Sequence, residues 1–317
     1  MHPLGYLRGS GSQTSSVLPL MWFMLIVSIV VCAIITGLVL WAVLTRRERI
    51  GPLGLRQVGL EQRDGVRWIW TGVAISAVPL IASLLWTVAV LAKTGSVPSR
   101  SPLVVDITAK RWWWDALYRG GTPAADFRTA NEIHIPVGVP VLLHLNSPDV
   151  IHSFWVPKLA GKTDVIPGQI NAMWIEAKEP GQYRGQCGEF CGAQHAHMGF
   201  LVIADPPQQF EAWRRGQAGP AASVNGPEET SGAAVFQQHC SRCHTVRGTP
   251  AHGAFGPDLT HLMTHATIGA GMFRNNPAAL SGWVENAQTV KPGALMPNQH
   301  LSGPELAALR TYLEALR

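Results

Sequence analysis

Two long stretches without a charged residue dominate the hydrophobic pattern of the chain. They run over residues 20–44 and 68–92, and each contains 25 residues. A helix needs about 20 apolar residues to cross the ~30 Å hydrocarbon core of a bilayer. The first stretch is longer than the apolar region of a cleaved signal peptide, which has about 7–15 residues. The pattern therefore predicts two retained transmembrane helices that form a hairpin.

Beyond the second stretch, the hydrophobic pattern changes to short segments that alternate between apolar and polar residues. Five such segments, each bounded by Pro, Gly or Asn, are residues 103–108, 132–135, 141–145, 170–176 and 200–203. A period of two residues is typical of half-buried strands. We therefore predict an antiparallel sandwich or barrel, closed by one short helix over residues 206–217.

The last third of the chain has helical periodicity at residues 230–239 and 303–316, with Pro- and Gly-rich loops between them. A stretch rich in Gly, Ala and Pro precedes it and reads as a flexible linker. The predicted domains are residues 1–95 (tail and two membrane helices), 96–217 (all-β), 218–229 (linker) and 230–317 (helical).

Composition and charge support a membrane-anchored multidomain protein. Of 317 residues, 14% are charged, against roughly 25% in soluble domains. The net charge of +5 arises within residues 1–95, where 8 basic residues face 3 acidic ones. Most of these basic residues are arginines of the loop over residues 45–67, and short Arg-rich loops remain cytoplasmic. This orientation places everything after Lys93 outside the cytoplasm, and the basic charge does not indicate a nucleic-acid partner.

Four of the five cysteines form two close pairs, and the fifth, Cys32, reads as a buried apolar residue of the first helix. The pair Cys240 and Cys243 is followed at once by His244, which is the attachment pattern of c-type haem. In that chemistry each thiol adds to a haem vinyl group, and the histidine binds the iron. A disulfide or a zinc site is the alternative, but zinc would need two further ligands at suitable spacing.

The sixth ligand of such a haem must come from later in the chain, and Met263, Met272, Met296 and several histidines are available. Met296 is favoured because it lies in a Pro- and Gly-rich loop before the last helix. Residues 230–317, with Gly256-Pro257-Asp258-Leu259 and Met296-Pro297, resemble class I cytochrome c. The resemblance implies an all-α domain, Met296 as the second axial ligand, and a Pro257 carbonyl that orients His244.

A second cluster of soft ligands lies in one loop, which contains Cys187, Cys191, His195 and Met198. Thiolate, imidazole and thioether together favour copper over magnesium or calcium. Two thiolates can bridge two copper ions, and such a centre needs a second histidine from elsewhere in the chain. His152 is the best candidate because it follows a predicted strand. A disulfide between the two cysteines is the alternative, but it leaves the neighbouring His and Met unexplained.

This loop, Cys187-Gly-Glu-Phe-Cys-Gly-Ala-Gln-His-Ala-His-Met198, resembles the dinuclear CuA site of cytochrome c oxidase subunit II. The resemblance extends over residues 17–210 and implies a cupredoxin-like sandwich. By matched position, Cys187 and Cys191 bridge the coppers, and His152 and His195 each bind one. Met198 and the backbone carbonyl of Glu189 are the axial ligands, and the Glu189 side chain faces a possible Mg²⁺ site beside subunit I. His197 matches no ligand and is expected to be exposed, and His134 and His144, which lie on alternating strands, are expected to face solvent.

The segment Arg111-Trp112-Trp113-Trp114 matches the family's aromatic segment, and three successive tryptophans cannot all face one side of a strand. Trp112 matches the residue through which electrons enter; a tryptophan at the membrane interface is the alternative. One position departs from the family. Arg67 stands where a proton-path Glu is often found, so no proton-path carboxylate is assigned; Glu61 and Asp64 are the nearby acids.

The resemblance implies the electron-entry subunit of a proton-pumping haem–copper oxidase in a bacterial inner membrane, with both metal domains on the periplasmic side. Electrons would pass from cytochrome c or another donor through haem c to CuA, and then to oxygen-reducing subunit I; subunit III is a further expected partner. The alternative is a stand-alone membrane-anchored carrier that serves another reductase. A quinol oxidase subunit would lack the copper ligands, and a copper-delivery protein would lack the haem motif.

Overall fold

The structure is a computed structural model, and it describes residues 4–45, 62–96, 103–122 and 125–317. Most of the basic loop predicted to be cytoplasmic lies outside the described residues, as do Glu61 and most of the segment between the second helix and the first strand. The described chain divides into two units, one formed by residues 15–96 and the other by residues 1–14 and 97–317.

The two predicted membrane helices are present and are longer than their uncharged stretches. Helix α1 is Ser12–Thr45 and helix α2 is Gln62–Gly95. Both are long and apolar enough to span a membrane. At a rise of 1.5 Å per residue, a helix of 34 residues is about 51 Å long, so each extends beyond the hydrocarbon core. The rings of Phe23 and Trp86 contact each other with centroids 5.5 Å apart, which places the two helices side by side.

Ten strands form the predicted sandwich from two five-stranded sheets. The strands are β1 (Leu103–Lys110), β2 (Trp113–Tyr118), β3 (Phe127–Ala130), β4 (Glu132–Pro136), β5 (Val141–Asn146), β6 (His152–Trp155), β7 (Thr163–Val165), β8 (Asn171–Ile175), β9 (Gly181–Cys187) and β10 (Gly199–Asp205). One sheet has the order β3-β2-β1-β5-β8 and the other β4-β10-β9-β6-β7. The five strands predicted from alternation correspond to β1, β4, β5, β8 and β10.

The predicted sandwich is confirmed and most of its described strand pairs are antiparallel, but two pairs are parallel. Strand β1 pairs in parallel with β5, and β10 pairs in parallel with β4. Alternation along one strand reports which face is buried, but it carries no information on the direction of the neighbouring strand. The core between the sheets includes Trp114, whose ring packs against Phe154 and Phe200 with centroids 5.4 and 5.1 Å apart.

The C-terminal region is helical, as predicted, with one addition. Its elements, together with the helix that closes the sandwich, are α3 (Pro207–Ala218), α4 (Pro227–His239), β11 (Thr267–Ile268), β12 (Phe273–Arg274), α5 (Pro277–Glu285), α6 (Ala287–Val290) and α7 (Gly303–Ala315). The two-residue pair β11–β12 departs from a strictly all-α domain. Helices α4 and α7 pack together, with the rings of Phe236 and Tyr312 5.5 Å apart. Ser302 and Glu305 form a capping box that starts α7.

The segment between α3 and α4 has no regular structure over residues 219–226. Ala221 donates its backbone N–H to the carbonyl of Arg247 at 2.9 Å, and the Arg247 guanidinium donates to the carbonyl of Gln217. The sandwich and the cytochrome-like region are therefore packed together in one unit. The flexibility of residues 218–229 stays a prediction.

Candidate functional site

The five candidate ligands of the second cluster come from two neighbouring strands and the loop that follows one of them. His152 begins β6 and Cys187 ends β9, and these strands pair with Phe154 opposite Cys187. Cys191, His195 and Met198 lie in the loop from β9 to β10, where residues 195–197 form one turn of 3₁₀ helix. Backbone pairing thus brings His152 to the cysteine loop across 35 residues of sequence.

These side chains meet at short distances in a buried place. The sulfur atoms of Cys187 and Cys191 are 3.8 Å apart. The Nδ1 atom of His152 lies 3.9 Å from Cys187 Sγ, and the Nδ1 atom of His195 lies 3.6 Å from Cys191 Sγ. An imidazole nitrogen therefore lies beside each thiol, so two metals bridged by the thiolates could each receive one imidazole.

Two weaker donors complete the arrangement. The thioether sulfur of Met198, which is fully buried, lies 3.8 Å from Cys191 Sγ. The backbone carbonyl of Glu189 accepts from Cys187 Sγ at 3.2 Å. Glu189 is exposed, and its Oε1 atom accepts from the backbone N–H of Phe190 at 3.3 Å. The loop thus offers one extra soft donor beside one cysteine and one extra oxygen beside the other.

Asp149 fixes the orientation of His152. Its Oδ1 atom lies 2.9 Å from His152 Nε2, which leaves Nδ1 directed at Cys187. Asp149 also accepts from the backbone N–H groups of Arg111 and Val150. Burial opposes ionisation of this carboxyl, but these hydrogen bonds prevail and lower the pKa of Asp149. A carboxylate behind a metal-binding histidine is a common way to fix the imidazole tautomer.

The two thiols are electrostatically coupled. The hydrogen bond between them lowers the pKa of Cys187 and raises that of Cys191. Burial opposes thiolate formation at Cys187, and the hydrogen bonds from its neighbours outweigh that effect. One proton is therefore released easily and the second is retained. A divalent or monovalent soft cation would remove this difference, because thiolate is the ligand form of cysteine.

Three other histidines were expected to face solvent. His197 is exposed, and its Nδ1 atom lies 2.7 Å from Gln194 Oε1. His144 is partly exposed and pairs with Asp106 at 3.1 Å. His134 differs from the expectation: its side chain is 14% exposed, stacks on Trp213 and lies 2.6 Å from Asp205.

The three successive tryptophans alternate as the strand pattern requires. Trp112 is 7% exposed and Trp114 is fully buried, whereas Trp113 is half-buried with the Lys110 ammonium 4.5 Å from its ring. The indole Nε1–H of Trp112 donates to the backbone carbonyl of Cys191 at 2.9 Å. Trp112 therefore contacts the cysteine loop directly.

The haem-attachment motif lies on an apolar cavity in the C-terminal region. This cavity contains about 1440 Å³ of empty space, part of it open to solvent. Cys240, Cys243 and His244 lie on its wall together with Met296, whereas Met263 and Met272 do not. Trp112 lines the same cavity, so one side chain touches both the cavity and the cysteine loop.

His244 is held in one orientation. Its Nδ1 atom lies 2.9 Å from the carbonyl of Pro257, which leaves Nε2 free as a ligand. Burial lowers the pKa of His244, so the ring is neutral at pH 7. A Cβ at Gly256 would lie 2.6 Å from the imidazole, so only glycine fits beside it. These features are those of a histidine prepared to bind a metal.

Sequence reasoning missed two charged residues at the contact between the sandwich and the cytochrome-like region. Lys291 is buried and donates to the backbone carbonyls of Trp112 and His197. Glu132 is buried and accepts from the backbone N–H of Ala266 at 2.9 Å. Neither residue belongs to a motif, so nothing in the local sequence marks them.

Comparison with known proteins agrees with this geometry. The family model described as "Cytochrome C oxidase subunit II, periplasmic domain" matches residues 115–204, and the model described as "Cytochrome c" matches residues 230–317. Cytochrome c oxidase subunit 2 of Alkalihalophilus pseudofirmus is 34% identical over 255 residues, which is 76% of this chain and 72% of that protein. The protein of the same name from Bacillus sp. (strain PS3) is 30% identical over 78% of this chain and 73% of its own length.

Among solved structures, the periplasmic domain of subunit II of cytochrome oxidase from Bradyrhizobium japonicum is 28% identical. It covers 38% of this chain and 96% of that chain, with a TM-score of 0.36.

The fold and the two sites define a membrane-anchored electron-transfer protein with a thiolate–imidazole metal loop and a covalent haem motif. The similarity to these relatives identifies the family: the chain belongs to the cytochrome c oxidase subunit II family. It is subunit II of a haem–copper oxidase and has a cytochrome c domain fused at its C-terminus. Copper and haem c are the cofactors that the two domains imply, other oxidase subunits are its partners, and the cupredoxin-like domain is of the periplasmic kind.

Proposed function

We propose that the chain relays electrons from a donor through covalent haem c to a dinuclear copper centre, and from there to the oxygen-reducing subunit of the oxidase. The observation that carries this proposal is Trp112, which lines the haem cavity and donates its indole N–H to Cys191. Trp112 thus contacts both the cavity that holds the haem motif and the loop that holds the cysteines.

The donor set supports two coppers. Cys187 and Cys191 would bridge them, His152 and His195 would each bind one through Nδ1, and Met198 and the Glu189 carbonyl would be the weak ligands. His152, Cys187 and Cys191 place their ligand atoms within 4.8 Å of one another. Soft ligands of this kind select copper over hard cations.

The cavity around His244 supports covalent haem c. Cys240 and Cys243 would attach the haem covalently, and His244, through Nε2, and Met296 would be the ligands of its iron. When bound, the haem and the copper centre supply one-electron redox chemistry. His/Met ligation raises the potential of a haem and leaves no open position, which suits electron transfer. The chain's own residues set orientation, exclude water and hold His244 through the Pro257 carbonyl.

Several finer assignments belong to this proposal. The helices α1 and α2 would anchor the chain in a bacterial inner membrane, with both metal domains on the periplasmic side. The exposed Glu189 carboxylate would face subunit I near a Mg²⁺ ion, and subunit III would complete a proton-pumping complex. Cytochrome c is the expected donor class.

The test is purification of the protein from membranes, with metal analysis and spectroscopy. Two coppers and one covalent haem per chain are expected, with an electron paramagnetic resonance signal shared by both copper nuclei. Copurification of a multi-helix haem-containing subunit is expected as well. One copper per chain, or recovery without that subunit, would contradict the proposal and favour a stand-alone carrier.

For the haem, Met296→His is the informative variant. The haem should stay low-spin but its potential should fall, because thioether stabilises ferrous iron more than imidazole does. A fall of about 59 mV is tenfold in the equilibrium constant of a one-electron step. Met263→His is the matched control, because Met263 does not line the cavity, and it should leave the potential unchanged. If Met263→His lowers the potential and Met296→His does not, the iron ligand is Met263 and not Met296.

A further inference from the structure

Lys291 is the least expected charged residue at the contact between the sandwich and the cytochrome domain. It follows helix α6 and is 3% exposed. Its Nζ atom donates to the carbonyl of Trp112 at 2.6 Å and to the carbonyl of His197 at 2.8 Å. Both acceptors belong to the sandwich. His197 lies in the loop of residues 187–198, called the copper loop below, and Trp112 contacts that loop, so a side chain of the cytochrome domain ends beside it.

The environment of Lys291 is costly for an ammonium group. In the described part of the chain, none of the ion pairs involves Lys291. Burial lowers the pKa of Lys291 to about 7. A buried amine without a carboxylate partner is rare unless the hydrogen bonds it makes are needed. The two carbonyls are the groups that these bonds satisfy.

One of the two carbonyls belongs to a residue that contacts the cysteine loop, and the other belongs to a residue within that loop. One belongs to Trp112 itself, and the other belongs to His197, the residue before Met198. The segment after Lys291 touches the same ring: a Cβ on Gly293 would lie 3.5 Å from the Trp112 indole. From the opposite domain, a Cβ on Gly192 would lie 3.1 Å from it. Both glycines have positive φ, +83° and +113°, so backbone encloses the indole closely on two sides.

A second bond supports the same contact. The side-chain amide of Gln194 donates to the carbonyl of Pro292 at 2.9 Å. Gln194 lies in the copper loop, and Pro292 lies between Lys291 and the loop that carries Met296. The segment that presents Met296 to the haem cavity is therefore fixed to the loop that presents Cys191.

We propose that Lys291 is a positioning residue for electron transfer: its two hydrogen bonds hold the cytochrome domain against the copper loop, with Trp112 between the two centres. This inference rests on the proposed relay function. With Lys291 in place, transfer occurs within one fixed arrangement; without it, the cytochrome domain must find that arrangement again for each electron. Orientation of this kind turns an encounter between two partners into an internal step.

The test compares Lys291→Met with the exposed Lys178→Met in the complete oxidase. Flash reduction of the haem, followed by the copper absorbance, gives the internal transfer rate at several viscosities. We expect Lys291→Met to slow transfer about tenfold or more, because a tethered but undocked domain reacts only after a search. We also expect the rate to fall as viscosity rises. The wild type and Lys178→Met should show a fast rate that does not depend on viscosity.

The haem and copper spectra of each variant show whether both centres are intact. If Lys291→Met has intact spectra and keeps the wild-type rate and viscosity independence, the proposal is overturned. If Lys291→Met fails to assemble, Gln194→Leu decides: it removes the bond to Pro292 and the contact with the His197 imidazole but leaves Lys291 in place, and it should give a smaller slowing with viscosity dependence. An unchanged Gln194→Leu would then overturn the proposal. Absence of either centre in the wild type would instead contradict the relay function itself.

Discussion

The copper loop and the haem cavity are both expected to hold a redox centre, but they differ in how closely protein surrounds the ligand side chains. In the copper loop, ligand atoms 3.6–3.9 Å apart are closed in by protein and oriented by a second layer of hydrogen bonds, such as Asp149 behind His152. In the haem cavity, the ligands lie around a large apolar space. Because the sandwich has its own two-sheet core, we expect it to fold without copper. The cytochrome domain surrounds a large cavity, so we expect it to need its haem for folding.

The largest expected effect comes from removing covalent haem from the cytochrome domain. Replacing both Cys240 and Cys243 with serine should abolish covalent attachment of haem, so that no haem packs against the apolar residues of the cavity. We expect the cytochrome domain to lose cooperative unfolding, because a domain of about 90 residues has little stability in reserve. Pyridine haem spectra and helical circular dichroism measure this. A cytochrome domain that unfolds cooperatively without haem would contradict the comparison.

The next effect falls on the copper side. Cys187→Ser should remove the copper signal completely, yet the sandwich should stay folded, because its core of Trp114, Phe154 and Phe200 does not depend on the metal. Copper absorbance and paramagnetic resonance measure the loss, and thermal unfolding measures the fold. His197→Ala is the matched control and should leave the signal nearly intact. Bleaching by His197→Ala and not by His195→Ala would mean that the ligand assignment is wrong.

A smaller effect tests the second layer of the copper loop. Asp149→Asn keeps the size of the side chain but removes the charge that orients His152. Loss of such a partner weakens metal affinity about 10–100-fold. Copper titration of the metal-free oxidase measures this change, and Asp164→Asn on an exposed strand position is the control. Equal affinities in the two variants would show that backbone alone orients the histidine.

The smallest effect concerns pH and the side of the sandwich remote from the thiols. Burial alone would lower the pKa of His134, but the hydrogen bond and charge of Asp205, with help from Glu132, raise it. A group whose pKa is raised by folding stabilises the protein fully below its ordinary pKa and less as the pH rises through the raised value. His134→Gln should therefore cost on the order of 1 kcal/mol near pH 5.5 and less near pH 9.

Thermal midpoints of the copper absorbance at the two pH values measure the effect of His134→Gln. His144→Gln is the control, since its side chain is 41% exposed and its ion pair with Asp106 is worth little. A larger loss at pH 9 than at pH 5.5 would reverse the sign and rule out the charged pair as the cause.

Features that depend on spacing along the chain can be predicted from the order of the residues alone. Uncharged stretches of 25 residues predicted both helices, because a bilayer sets a minimum apolar length. The spacing of Cys240, Cys243 and His244 predicted a haem motif, and the crowding of soft ligands between residues 187 and 198 predicted copper, because in both sites most of the candidate ligands lie within a few residues of one another. Alternation predicted five of the ten sandwich strands.

Contacts between residues that are far apart in sequence became visible in the folded chain and not before. The pairing of β6 with β9 brings His152 to Cys187, and the parallel pairing of β1 with β5 cannot be read from either strand. Lys291 reaches Trp112 across 179 residues, and Glu132 reaches Ala266 across 134. Such contacts form because buried polar groups must find hydrogen-bond partners wherever folding places them. Local sequence carries no signal for a partner that only the packing of two domains supplies.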